Sequence, residues 1–322
     1  ASCLVGSEMC IRDRSRWQRD GIFRGTREGL TFSPLHRAKP PNERRMIVAL
    51  FYGSYFSDAL RRNASFSVYL PNDVAPEFRT NCFERPTQTL FLLHGYTGTG
   101  DDWVRDTSIL SLASQFNLAL VCPSGENSFY LDGTATGRKY ETYVGRELVD
   151  YVRSTFGLSS RREDTFIGGI SMGGFGAIHT GLAYPETFSK IISLSAALIT
   201  HKVAAMKPGA PDLDGMANYD YYRLMFGDPE KLLESRNNPE TLVKDLMVSG
   251  KELPGLYLAI GTEDFLYEDN QIFRRFLEKQ GYPFEYHEGP GAHDFAFWNP
   301  HIESSIRWLL SGTEGKNNGG VS

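Results

Sequence analysis

The chain has 322 residues, 41% of them hydrophobic, and a formal net charge of −5, so it is long enough to bury a sizeable core. No run of eighteen apolar residues occurs, which leaves no candidate membrane span. Its acidic balance disfavours nucleic acid and anionic membrane surfaces as partners.

The first 45 residues read as foreign to the rest of the chain. Residues 3–14 match a one-frame translation of a transposase sequencing adapter. Residues 15–45 are arginine-rich, contain proline and lack apolar periodicity. Residues 1–45 are therefore expected to be non-native, disordered read-through, with the natural start at Met46. The rival reading is a basic nucleic-acid or targeting arm, because the stretch holds ten Lys or Arg against five Asp or Glu. Without it, 24 basic and 34 acidic side chains remain, a net charge of −10. Two cysteines, Cys82 and Cys122, also remain; they have no metal-binding spacing, and a disulfide between them stays open. After Met46, Asp58, Arg61 and Arg62 interrupt any signal-peptide core, and cytoplasm is the expected location.

From Met46 onward apolar runs alternate with amphipathic ones. A buried strand, Thr89-Leu90-Phe91-Leu92-Leu93, runs into His94-Gly95-Tyr96-Thr97-Gly98. The strand at 118–121 is closed by Cys122, a buried small hydrophobe by its setting. Asn127-Ser128-Phe129-Tyr130 comes next, with Phe129 or Tyr130 as candidate walls of a substrate pocket. Val144, Leu148, Tyr151, Val152 and Phe156 predict one helix over 141–156. Strands are predicted at 165–167, 190–195 and 255–260, then a helix over 268–280, a short strand at 282–287 and an aromatic helix over 295–310. This alternation predicts a mostly parallel sheet covered by helices on both faces, in one α/β domain over 46–311. Residues 312–322 form a Gly/Asn tail expected to be disordered.

Between 197 and 250 the rhythm breaks at Pro208, Gly209, Pro211 and Gly215, and an aromatic cluster occupies 219–226. Two readings stand side by side: a partial cap that sets acyl or alcohol specificity, or a pair of packing helices with surface tyrosines. An exposed aromatic cap would also be a surface for a homo-oligomer. Trp103 and Trp298 read as core or rim packing.

The chemistry gathers at three loops. Gly169-Ile170-Ser171-Met172-Gly173 lies between a strand and a run of small residues that starts a helix, the setting of a nucleophile elbow. The next apolar strand ends in Gly261-Thr262-Glu263-Asp264, on the rim where an acid would serve. Asp264 is preferred because its shorter side chain is better held by its loop and Phe265 starts an apolar stretch suited to shield it; Glu263 is the alternative. His293, in a glycine-bracketed loop after the last strand, completes the order Ser, acid, His as general base. Among the other histidines, His287 reads as a sheet residue, His179 and His301 as surface or packing positions, and His94 as a loop brace. His201 has a pocket role only as an unsupported option, and His36 lies in the N-terminal stretch 1–45. The backbone N–H groups of Tyr96 and Met172 are the expected oxyanion hole.

Four segments then carry a family resemblance: residues 92–96, 169–177, 261–267 and 293–295. With these the chain resembles the esterase-D-like carboxylesterases of the α/β-hydrolase fold, nearest to the bacterial tributyrin esterases. S-formylglutathione hydrolases, feruloyl and acetylxylan esterases, enterochelin esterases and antigen-85 acyltransferases are more distant relatives. The likeness runs from about 46 to 310 and is loose between 197 and 251. It implies a serine esterase acting on short acyl esters, including acylated sugars, without metal or organic cofactor. Thioesterase, acyltransferase and non-catalytic carbohydrate-binding readings are the alternatives. Tyr96 departs from the family, where Phe, Met or Leu is frequent, and this is expected to alter pocket polarity only.

Overall fold

The computed structural model describes residues 49–311; the readings made for 1–45 and 312–322 lie outside the described residues. Strands β1 (Ala49–Ser57) and β2 (Arg62–Leu70) form an antiparallel hairpin before β3 (Gln88–Leu93). Helices α1 (Asp102–Asp106) and α2 (Ile109–Phe116) lead to β4 (Leu118–Pro123). Next come α3 (Tyr140–Thr142), α4 (Leu148–Phe156), β5 (Thr165–Ile170), α5 (Met172–Ala183) and β6 (Lys190–Leu194). Helices α6 (Thr200–Ala205), α7 (Tyr219–Phe226) and α8 (Pro239–Ser249) intervene before β7 (Gly255–Gly261). The chain closes with α9 (Tyr267–Gln280), β8 (Glu285–Gly289) and α10 (Phe295–Leu310).

The eight strands form one sheet in the order β1-β2-β4-β3-β5-β6-β7-β8. β2 pairs antiparallel with β1 and β4, and every pairing from β4 to β8 is parallel. Parallel strands need crossover helices, which bury both sheet faces and explain why β3, β4 and β5 are buried throughout. Side chains alternate between two cores. Phe91 and Leu93 join Val144, Phe175, Val243 and Leu277 on one face; Leu90 and Leu92 join Trp103, Leu112, Ile306 and Leu309 on the other.

The helix expected over 141–156 is continuous but not uniform. A π-helical segment, Tyr143–Glu147, separates α3 from α4. Tyr140, Glu141, Tyr143, Val144 and Gly145 are all buried, a wider arc than a regular α-helix presents to one surface. The adjustment leaves Glu147 accepting bonds from Ser57 Oγ (2.6 Å) and the Asp58 N–H (2.7 Å), which pins the helix to the β1–β2 turn. The last strand begins later than expected, at Glu285. Tyr282 is drawn into the core, where its hydroxyl donates to the Pro254 carbonyl at 2.7 Å.

Both Cys82 and Cys122 are free, and Cys122 is buried. Burial pushes its thiol up to about 12, so it serves as a small hydrophobe. Among the described residues no helix is long and apolar enough to cross a membrane.

Candidate active site

The carboxyl ends of the parallel strands form one rim, and the three chemical loops rise from it. Leu93 of β3 pairs with Gly169 of β5, and Gly261 of β7 pairs with Gly289 of β8. Loops leaving these strands are therefore neighbours before any side chain is considered.

Ser171 sits between β5 and α5 with φ +56° and ψ −121°, a conformation that costs a non-glycine residue about 1–3 kcal/mol. The surroundings hold it there. Its N–H donates to the Leu194 carbonyl at 2.9 Å, and its carbonyl accepts from the N–H groups of Ala197 (2.9 Å) and Phe175 (3.1 Å). A Cβ on Gly169 would stand 2.2 Å from the Gly173 carbonyl oxygen, and one on Gly173 would stand 2.1 Å from that of Leu93. Both positions admit only glycine, the physical content of the sequence pattern around Ser171.

Asp264 and His293 complete a hydrogen-bonded line. His293 Nε2 lies 2.9 Å from Ser171 Oγ, and His293 Nδ1 lies 2.8 Å from Asp264 Oδ2. With the ring proton on Nδ1, Asp264 accepts it and Nε2 is left to accept the serine hydroxyl. The Asp264 side chain is fully buried, and its second oxygen accepts the Leu266 N–H at 2.9 Å. Glu263 takes no part: its side chain is exposed and its N–H donates to the Gly291 carbonyl. The Asp294 carboxylate caps α10, accepting from the N–H groups of Ala296 and Phe297, so the residue before it is presented from a fixed turn.

Two aromatics frame the imidazole. Phe265, which opens the apolar stretch after the acid, is 55% exposed and its ring lies 4.6 Å from that of His293, while Leu266 is buried. Trp298 meets the same imidazole edge-on at 5.0 Å and donates from Nε1 to Ser195 Oγ at 2.9 Å. This contact with His293 is invisible in the sequence, where Trp298 reads only as core or rim packing.

Tyr96 and Met172, whose amides were the expected oxyanion hole, line one cleft with Ser171. Met172 is the first residue of α5, so its N–H has no intrahelical acceptor, and the helix N-terminus favours negative charge there. Tyr96 lies in a turn closed by the Gly98 N–H on the Gly95 carbonyl (3.1 Å). A Cβ on Gly95 would be only 3.4 Å from Ser171 Cβ, which brings this turn against the serine. His94 braces the turn: it is buried, its Nδ1 bonds the Gly95 carbonyl, and its Nε2 accepts the Gly125 N–H at 2.8 Å. Burial lowers its pKa, in keeping with that neutral tautomer.

A cleft opens over Ser171, walled by Phe129, Ile199, Leu213, Met216, Tyr222 and Leu266 among others. Phe129, a candidate wall in the sequence, is among the lining residues. Tyr130 does not line the cleft: it is fully buried and its hydroxyl donates to the His94 carbonyl at 3.2 Å. The segment over 197–250 divides between its two readings. The loop before α7 reaches the cleft through Leu213, Asp214 and Met216, whereas α8 buries Leu242, Val243 and Leu246 in the covering layer. Of the α7 aromatics, Tyr222 and Phe226 are buried and Tyr219 and Tyr221 are half-buried.

The remaining histidines stand apart from the line. His179 is buried, stacks on Phe175 and bonds the Arg236 carbonyl. His287 stacks on Tyr257 in the sheet, His301 lies on α10, and His201 pairs with Glu240 at 2.8 Å. No group of three or more His, Cys, Asp or Glu suited to a metal ion exists among the described residues.

Comparison with known proteins places the chain in a family. The esterase family model ("Putative esterase") matches residues 57–309. An acetyl esterase of Caldicellulosiruptor saccharolyticus is 38% identical over 263 residues, covering 81% of this chain and 98% of the relative. The S-formylglutathione hydrolase structure from Staphylococcus aureus is similar at TM-score 0.69 and 30% identity, over 82% of this chain and 99% of that one. A fluorophosphonate-binding serine hydrolase of the same organism aligns at TM-score 0.69 and 29% identity, over 82% and 98%. The chain belongs to the esterase family, has the α/β-hydrolase fold, and is a carboxylic ester hydrolase.

Proposed function

We propose that the protein is a serine carboxylesterase that cleaves short-chain acyl esters through an acyl-enzyme on Ser171. The observation that carries this reading is the unbroken line from Ser171 Oγ through His293 to the buried Asp264, at 2.9 and 2.8 Å. His293 Nε2 takes the hydroxyl proton as Oγ attacks the ester carbonyl, and Asp264 holds the proton on Nδ1 and stabilises the imidazolium. The Tyr96 and Met172 N–H groups receive the oxyanion, each donor contributing on the order of 3 kcal/mol. Collapse of the intermediate expels the alcohol with the proton from His293, and water, activated in the same way, releases the acid and frees Ser171.

The mainly apolar cleft and the acetyl esterase relative favour small acyl groups such as acetyl, on small-molecule or sugar alcohols. The alternative of a glutathione thioester is less well served, because glutathione carries two carboxylates and no Lys or Arg lines the described cleft. Steady-state kinetics with p-nitrophenyl esters of rising chain length, an acetylated sugar and S-formylglutathione test the reading. A fluorophosphonate adduct mapped by mass spectrometry tests the nucleophile. A label on any residue but Ser171, or no turnover of acetyl esters, overturns the proposal.

A further inference from the structure

Asp214 is the one charged residue among the described residues that line the cleft. It lies in the loop between α6 and α7 with φ +51°, beside Gly215 at φ +70°. The two left-handed residues reverse the chain inside a small closed turn, with the Leu213 N–H on the Ala217 carbonyl (2.9 Å) and the Met216 N–H on the Leu213 carbonyl (3.0 Å). Asp214 is thus fixed at the cleft wall beside Leu213 and Met216.

Its carboxylate is only partly neutralised. Lys202 Nζ lies 3.1 Å from Asp214 Oδ2, but the same ammonium lies 2.8 Å from Oδ2 of Asp269. The Asp269 side chain is 3% exposed and that of Asp214 is 41% exposed, so the buried carboxylate depends more on the cation. One ammonium between two carboxylates leaves a net negative charge. On the same cleft wall the Tyr222 phenol is pushed up to about 12, first by burial and then by Tyr96, Asp214 and Asp212.

We propose that Asp214 is a specificity-determining residue that makes the cleft select uncharged and cationic esters over esters bearing a carboxylate. An anionic substrate meets Asp214 and finds no Lys or Arg among the described lining residues to offset it. A neutral substrate meets no such penalty, and a cation gains from the same field. The inference rests on the serine-esterase reading above.

The test compares acetyl esters that share one acyl group and differ in charge: 3-acetoxybenzamide, 3-acetoxybenzoate and 3-acetoxyphenyltrimethylammonium, each corrected for its hydroxide-catalysed rate. In the wild type the amide-to-carboxylate ratio of kcat/KM is expected to be about fivefold or more at low salt, shrinking as salt screens the field. Asp214→Asn should bring that ratio close to one, and Asp214→Lys should invert it, with thermal unfolding used to establish that each variant is folded. An equal ratio in wild type and both variants overturns the charge rule while leaving the esterase intact. Failure of the wild type to hydrolyse even the neutral ester overturns the esterase reading, and the charge rule with it.

Discussion

Trp298 Nε1 donates to Ser195 Oγ at 2.9 Å, and this bond sets the indole edge-on to the His293 ring, 5.0 Å away at 86°. Ser195 comes directly after β6 in a left-handed conformation, φ +49°, with its N–H on the Ala259 carbonyl at 2.7 Å. The imidazole is therefore positioned from the sheet through a side chain that touches no reacting atom. Trp298→Phe should keep the packing, lose the bond and leave the buried Ser195 hydroxyl without its donor. We expect roughly 1–2 kcal/mol of lost stability and a fall in kcat of about tenfold with little change in KM. Unchanged kcat in a folded variant would remove Trp298 from this role.

Ser171→Ala should lower ester hydrolysis by several orders of magnitude with the fold intact. His293→Ala should lose a comparable factor, whereas His287→Ala, stacked on Tyr257 away from the serine, should stay within about tenfold of wild type. Single-turnover and steady-state kinetics on p-nitrophenyl acetate distinguish these outcomes. The reverse ranking of the two histidines would mean that the general base is wrongly assigned.

The acid offers a sharper comparison between adjacent residues. Asp264→Asn preserves a hydrogen-bonding partner for the imidazole but favours the wrong tautomer, so kcat should fall by roughly 10³–10⁴ near neutral pH. Glu263→Gln, with its side chain in solvent, should cost little. A large loss in the glutamate variant alone would move the acid by one residue.

A buried pair behind the cleft sets an acid-stability prediction. Glu141 Oε2 lies 3.2 Å from His179 Nδ1, and both side chains are buried. Burial holds His179 down at about 4, against an ordinary 6.5, so the unfolded chain gains this proton first and stability falls as pH drops through that window. Glu141 works in the opposite sense. Burial, opposed by Arg236, raises it from 4.5 to about 7, so the folded chain gains that proton first and stability rises as pH falls. The two trends offset one another in the wild type. Glu141→Gln should leave the histidine trend alone, and its Tm should drop more steeply than that of wild type between pH 7 and 5. Parallel Tm curves would contradict the opposed pair.

Removal of residues 1–45 is expected to leave Tm and kcat/KM for p-nitrophenyl acetate unchanged. The stretch has no apolar periodicity, and the family match begins only at residue 57. A Tm drop of more than a few degrees, or a clear loss of activity, would show that the segment contributes to the enzyme.

What the sequence by itself determined was local and ordered along the chain. The glycines around Ser171, the apolar strands and the Ser, acid, His order follow from short-range sterics and from the rule that parallel strands align their carboxyl ends. The aromatic helix expected at 295–310 occurs as α10, Phe295–Leu310. The tertiary structure alone decided whatever depends on distant segments meeting. Trp298 faces His293 only because Ser195, over a hundred residues earlier, accepts its N–H. Phe265 lies against the imidazole, and Tyr130 turns under the His94 loop because a buried carbonyl needs its hydroxyl. The shape of the cleft was equally out of reach, since the loop that supplies Leu213, Asp214 and Met216 has no periodicity and is held by one shared lysine. Periodicity reports which face of an element is buried; it says nothing about which remote side chain completes a site.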